Sequence, residues 1–188
     1  CPRLALPRRA GVELLFFGYV RPYKGLGILL RAMRKLKGND VYLSIVGEFW
    51  DGLDEARAFV GEEELKEMVE IVPRYVTAEE AAAYFSRCDV VVLPYVSATG
   101  SGVLTLAYHY GKPVIASRVG GLPDVVVDGV TGVLIGPGAS DELAQAIQRI
   151  GRGEVQFSRT AIAEMKRQLS WDGLAAKVLG SQERADFS

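Results

Sequence analysis

Histidine is almost absent from this chain and cysteine is scarce: one histidine and two cysteines stand among 188 residues. So few thiols imply no disulfide framework, which suits a reducing cytoplasm. No His/Cys/Asp/Glu cluster has metal-ligand spacing, so no metal is expected. A basic surplus is also missing, since the net charge is −1, and this argues against nucleic-acid binding. Six cations, Arg8, Arg9, Arg31, Arg34, Lys35 and Lys37, fall early, and those from Arg31 onward read as the solvated side of a helix. No apolar run is long enough to span a bilayer, and no secretory leader is expected. Internal repeats and low-complexity stretches are missing too. The chain begins with Cys1 rather than Met, so a piece of a longer protein is expected.

What remains is a hydrophobic, evenly charged chain in which 49% of residues are hydrophobic, enough for one well-packed domain. Apolar strands alternate with helical patterns. Strands are expected at 13–18, 41–47, 68–73, 89–94, 113–117 and 132–136. Between them, 24–37 places Leu26, Leu29, Leu30, Met33 and Leu36 on one helical face. An acidic helix is expected over 51–67, broken near Gly61. Thr77 and Glu80 have capping-box spacing ahead of a helix burying Ala81, Tyr84 and Phe85. Further helices are expected from Ser101 to Tyr110 and from Ser140, read as a cap, to Ile150 with Leu143, Ile147 and Ile150 inward. Two more are expected from Ser158 and from the cap Ser170 before Trp171. Near-continuous Val/Ile/Leu strands between helices predict a parallel sheet covered on both faces, a doubly wound Rossmann-like α/β fold. Its ligands sit at the carboxyl ends of the strands, where strand order reverses.

Two loops on that edge have the composition of anion sites. GYVRPYKG (18–25) places Arg21 and Lys24 where a loop meets a helix start. Cations are unfavourable there unless an anion is shared with the helix N-terminus. Spacing alone favours a solvated loop with incidental charges. SATGSG (97–102) leads from an apolar strand into a helix, and Thr99, Gly100, Ser101 and Gly102 would let a backbone cradle approach a phosphate. An ordinary capped strand-to-helix turn explains that loop equally well. Together, two anion sites on one sheet edge suit a diphosphate.

Other candidates are weak. His109, between Tyr108 and Tyr110, reads as a packing or partly exposed residue rather than a base, and Cys88 as a buried free thiol. Asp124 and Asp128 read as bracing a turn, Glu62 to Glu64 as a solvated face, and Gly120 and Gly121 as a tight turn near the ligand edge.

The run from GYVRPYKGL, through VGEF at 46–49 and CDVVVLPY, to GKPVIASRVGGLPDVVVDGVTGVLI (111–135) resembles the donor-binding half of a glycosyltransferase. The family is the retaining, nucleotide-sugar-dependent glycosyltransferase group 1, also called family 4, with the two-domain GT-B fold. SWDGLAAKV (170–178) is similar to the closing helix of such domains. The resemblance covers roughly 12–180. It implies a single C-terminal donor-binding domain over 1–188, with a core at 12–152 and a helical tail at 153–188, and an N-terminal acceptor domain outside this chain.

The resemblance also implies roles. Arg21 and Lys24 match the pair that neutralises the donor diphosphate and stabilises the departing nucleoside diphosphate. Gly18 matches the glycine below the sugar, and Thr99 to Gly102 the segment along the diphosphate and sugar. Arg74, Tyr75 and Val76 fall where members hold the base, largely through backbone groups. One departure stands out. Many members bracket this loop with two glutamates, whose positions are Ala98 and Leu106 here. Thr99, Ser101 or Thr105 would then have to substitute through hydroxyl hydrogen bonds.

The implied activity is transfer of a sugar from a UDP- or GDP-linked donor to a glycan or lipid-linked acceptor, with retention and without a metal. The isolated domain is expected to bind nucleotide but transfer little sugar. A cytoplasmic location is expected, with any peripheral contact at the inner membrane face made through the other half. A non-catalytic nucleotide-sugar sensor or scaffold is the rival, suggested by the two missing carboxylates. An epimerase of similar fold is less favoured, because the lone His109 and few placed acids offer little proton-transfer machinery.

Overall fold

The computed structural model describes residues 5–170. Cys1 and the helix expected after Ser170, with its SWDGLAAKV segment, lie outside the described residues. Six strands form one sheet: β1 (Val12–Phe17), β2 (Val41–Val46), β3 (Val69–Val72), β4 (Val90–Leu93), β5 (Val114–Ser117) and β6 (Gly132–Ile135). Every pairing is parallel, and the order is β3-β2-β1-β4-β5-β6. The order reverses between β1 and β4, where Leu14 pairs with Val90 and Leu15 with Val91. That is the switch point of a doubly wound sheet.

Among the described residues, seven α-helices cover the sheet: α1 (Leu26–Lys35), α2 (Leu53–Glu62), α3 (Ala78–Arg87), α4 (Gly102–His109), α5 (Leu122–Val125), α6 (Ser140–Gly151) and α7 (Arg159–Gln168). Strand residues alternate between two cores. Leu14 and Phe16 of β1 pack with Leu29 and Met33 of α1, Ala56 of α2 and Ile147 of α6. Leu15, their neighbour in sequence, packs on the other face with Phe85, Leu104, Leu122 and Ile162 from α3, α4, α5 and α7. Both faces are therefore dry, which is why the strands read as unbroken Val/Ile/Leu runs.

The second face carries one buried charge cluster. Arg87 at the end of α3 lies 3.4 Å from Glu13 of β1 and also pairs with Glu70 of β3 and the Ser44 hydroxyl of β2. Glu13 and Arg87 are both almost fully buried. Among the described residues, no helix is long and apolar enough to cross a membrane.

Several expected boundaries shift. The helix expected over 24–37 divides into a tight 3-10 turn at Pro22–Lys24 and then α1. The acidic helix stops at Glu62, and Glu64 takes a positive φ of 55° in the turn that follows. Ser140 is the first residue of α6 rather than its cap. Ala139 holds the boundary, and the Glu142 carboxylate reaches back to accept the Gly136 N–H. On α3 the buried residues are Ala83, Phe85 and Arg87, while Ala81 and Tyr84 are only half-buried. The capping box forms as expected: Thr77 accepts from the Glu80 N–H, and Glu80 accepts from the Thr77 N–H.

Candidate functional site

The loops leaving β1 and β4 meet above the switch point. After β1 the chain turns at Gly18, and Val20 then forms a parallel bridge with Phe49 beyond β2. Pro22, with φ already fixed, opens the 3-10 turn, and Gly25 ends it and starts α1. This short turn carries Lys24 inward, where its residue surface is only 6% exposed. The Lys24 ammonium lies 5.9 Å from the ring centroid of Tyr95. Burial, with the nearby Arg21 charge adding to it, pushes the Lys24 pKa down to about 8. The ammonium has no hydrogen-bond or ion-pair partner among the described residues. A side chain at Gly18 would crowd it, since a Cβ there would stand 3.2 Å from Lys24 Nζ and 3.3 Å from Val103.

The β4 side is built from Pro94 to Val103. Tyr95 is buried, and its hydroxyl exchanges a 3.2 Å hydrogen bond with Ser101 Oγ. Desolvation raises the Tyr95 pKa to about 12. The same Ser101 oxygen accepts the Leu104 N–H at 3.2 Å, capping α4. The N–H groups of Gly102 and Val103 have no partner among the described residues, as expected for a first helical turn. Behind this loop, Gly120 adopts φ 51°, and a Cβ there would fall 1.5 Å from the Ala98 carbonyl oxygen. Gly120 thus lets the β5 loop brace the β4 loop from outside.

Between the two loops lies a cavity of about 300 Å³. Gly18, Lys24, Gly100, Ser101 and Gly102 line it together, and among the described residues no acidic side chain does. Leu106, standing where a family glutamate is common, also lines it.

Other predicted residues lie elsewhere. Arg21 faces an adjoining groove of about 440 Å³ between α1 and α2 instead. Its guanidinium carbon sits 5.0 Å from the Trp50 ring centroid and 5.8 Å from that of Tyr19. Thr99 and Thr105 are exposed and do not line the cavity. Arg74, Tyr75 and Val76 follow β3, on the same edge but two strands away from β1. Val76 buries its side chain in the second core, leaving only backbone to offer. Arg74 is engaged with Glu80 and with the Tyr75 carbonyl, and the Tyr75 side chain is exposed.

Sequence reasoning missed the aromatic part of the site. Tyr19, Tyr23 and Tyr95 line the cavity, and Trp50 flanks Arg21. The available signal was position: Tyr95 directly follows the proline ending a buried strand, and Tyr19 and Tyr23 bracket Arg21. His109 is exposed and meets Tyr110 edge-on. Cys88 is buried and free, its thiol pushed up to about 12 by desolvation. Among the described residues, no group of His, Cys, Asp and Glu could hold a metal.

The family profile described as glycosyl transferases group 1 matches residues 11–152, and the chain belongs to that family. It is 33% identical over 174 residues to a D-inositol 3-phosphate glycosyltransferase of Mycobacteroides abscessus, covering 90% of this chain and 39% of that one. It is 32% identical over 176 residues to a glycogen synthase of Thermus thermophilus, covering 91% of this chain and 39% of the other. The chain thus spans about two-fifths of the length of these curated relatives.

Among solved structures, a sucrose-phosphate synthase from Thermosynechococcus elongatus superposes with a TM-score of 0.76 at 29% identity, over 97% of this chain and 47% of that chain. Anabaena HepE, solved in complex with UDP, gives 0.74 at 22% identity, over 93% of this chain and 49% of that one. The C-terminal domain of a group 1 glycosyl transferase from Francisella tularensis gives 0.71 at 22% identity, over 91% of this chain and 88% of that one. These likenesses give the fold as that of GT-B glycosyltransferases, of which the chain corresponds to about half.

Proposed function

We propose that this chain is the donor-binding half of a glycosyltransferase that moves a sugar from a UDP- or GDP-linked donor to an acceptor with retention of configuration. One observation carries the reading: Lys24 is a largely buried lysine whose ammonium, with no counter-ion among the described residues, opens onto a cavity at the switch point of a doubly wound sheet. A buried, unpaired cation is costly to keep unless a ligand supplies the charge. The donor class draws further support from Anabaena HepE, of similar fold, which was solved with UDP. The extent of the domain draws support from the Francisella tularensis C-terminal domain, matched over most of its length.

As the bond between the anomeric carbon and the β-phosphate oxygen breaks, negative charge builds on the departing diphosphate. Lys24 lies where that charge would collect, with little water to screen it. The free N–H groups of Gly102 and Val103 add fixed dipoles at the α4 N-terminus. Arg21, lying in the adjoining groove, is close enough for its charge to act on Lys24 and is proposed as the second cation. We assign neutralisation of the diphosphate to these groups, without a metal. Thr99, Gly100 and Ser101 are assigned to the sugar and phosphate edge. Base contacts are assigned to backbone groups of Arg74 to Val76, and Thr105 serves as an auxiliary hydroxyl. The acceptor, glycan or lipid-linked, belongs to the partner half, and so does any contact with a membrane surface. The free, buried Cys88 suits a reducing compartment.

Calorimetric titration with UDP and with GDP tests this. One nucleotide is expected to bind, and Lys24→Ala is expected to weaken it roughly 10- to 100-fold, the loss typical of a charged hydrogen bond. No binding of either nucleotide would overturn the reading. Leu106 in the cavity wall favours one second reading, a nucleotide-sugar sensor without turnover. Tight nucleotide binding by the full-length protein, with no donor hydrolysis or transfer, would select it.

A further inference from the structure

Arg21 is held in an unusual way. No protein oxygen accepts a hydrogen bond from its guanidinium, and no carboxylate pairs with it among the described residues. Two rings lie close to it: Trp50 at 5.0 Å and Tyr19 at 5.8 Å. Trp50 in turn is fixed by the backbone. Its N–H donates to the Val20 carbonyl at 3.0 Å, and the Val20 N–H donates to the Glu48 carbonyl at 2.8 Å. The loop after β2 is thereby stapled to the loop carrying Arg21, although the Trp50 side chain is 67% exposed. An indole so exposed contributes little to the core.

Guanidinium and ring attract through the ring's negative face, which engages the flat face of the cation. Phosphate recognition uses the guanidinium edge, where the N–H donors lie. The two interactions are orthogonal, so one side chain can make both at once. A carboxylate partner for Arg21 would instead have consumed those donors and cancelled the charge.

We propose that Trp50 is a positioning residue for the diphosphate site, holding the Arg21 guanidinium by ring contact in the groove beside the cavity while its N–H donors stay available for phosphate. This rests on the donor-site reading above. Trp50 itself touches no phosphate. It lowers the ordering cost that a long, exposed arginine would otherwise meet on binding.

The test is a double-mutant cycle read by UDP and GDP titration of the chain, with a fluorescence measurement beside it. Trp50→Ala is expected to weaken binding of the accepted nucleotide roughly two- to fivefold, the fold-change of an exposed cation–π contact. Trp50→Phe is expected to restore most of the affinity. In an Arg21→Ala background, Trp50→Ala is expected to change nothing further. With Trp171→Phe, Trp50 is the sole tryptophan, and its emission is expected to shift on nucleotide addition, but not in Arg21→Ala. Unchanged affinity in Trp50→Ala, or the same loss with and without Arg21, would overturn the proposal while leaving the donor site standing. Failure of the unmodified chain to bind either nucleotide would overturn both.

Discussion

Lys24 carries its charge on a side chain that the fold largely buries, and stability bears the consequence. Its pKa, about 10.5 for a free lysine, is about 8 in the fold. Below pH 8 both folded and unfolded chains carry the proton, and the folded state bears the full penalty of burying the charge. Between about pH 8 and 10.5 the unfolded chain binds more protons than the folded one, so the penalty fades as pH rises. Lys24→Met is therefore expected to unfold at higher urea at pH 7, by on the order of 2 kcal/mol, with the gain shrinking to nothing toward pH 10.5. Denaturation of both proteins across that range checks the sign. A stabilised variant that no longer binds nucleotide would mark this position as one where function opposes stability. The sequence showed which residue carries the charge but not its burial, because a three-residue 3-10 turn, not a continuous helix, swings Lys24 inward.

At the scale of elements, legibility followed length and periodicity. α1 and α3 declared themselves through long apolar faces and a capping box, and both form. α5 spans only four residues, barely more than one turn and too short to show a period, and went unread. Ser140 had a capping residue's chemistry, but Glu142 reaching back to Gly136 satisfies that turn instead. The β4 loop shows how a site depends on an element that never enters it. Gly120 holds φ 51° against the Ala98 carbonyl. Gly120→Ala combines an unfavourable φ with a backbone collision, and is expected to cost about 1–3 kcal/mol of stability. Because the displaced segment leads into Ser101, nucleotide affinity should fall with it. Urea denaturation and titration on the same preparation check both.

For the whole molecule, the alternation of buried strands and helices was enough to give a doubly wound sheet, and the reversal at β1 and β4 brings Gly18 and Ser101 to one cavity. The aromatic lining was not legible, because tyrosines in loops carry no period, and Trp50, the ring beside Arg21, comes from another strand's loop. The buried Arg87 cluster was hidden for a similar reason: Glu13, Ser44, Glu70 and Arg87 come from four elements. Arg87→Ala would leave Glu13 buried without its cation, and is expected to cost about 3–5 kcal/mol. Equilibrium unfolding at pH 7 checks this, with Arg87→Lys expected to recover part of the loss.

The cavity's two walls, 18–24 and 95–103, are brought together by the pairing of β1 with β4, backed by the Val96 N–H bond to the Tyr23 carbonyl at 2.8 Å and the edge contact of Tyr23 with Tyr95. Such a non-local contact closes a long loop of chain, and contacts of that kind come slowly in folding. Nucleotide capture should therefore lag behind the gain of helical signal in a refolding experiment, and a chain ending before β4 should never acquire it. On the donor-site proposal, capture of nucleotide would mark completion of the sheet, and a nucleotide binding only the closed form would hold the two halves of the strand order together.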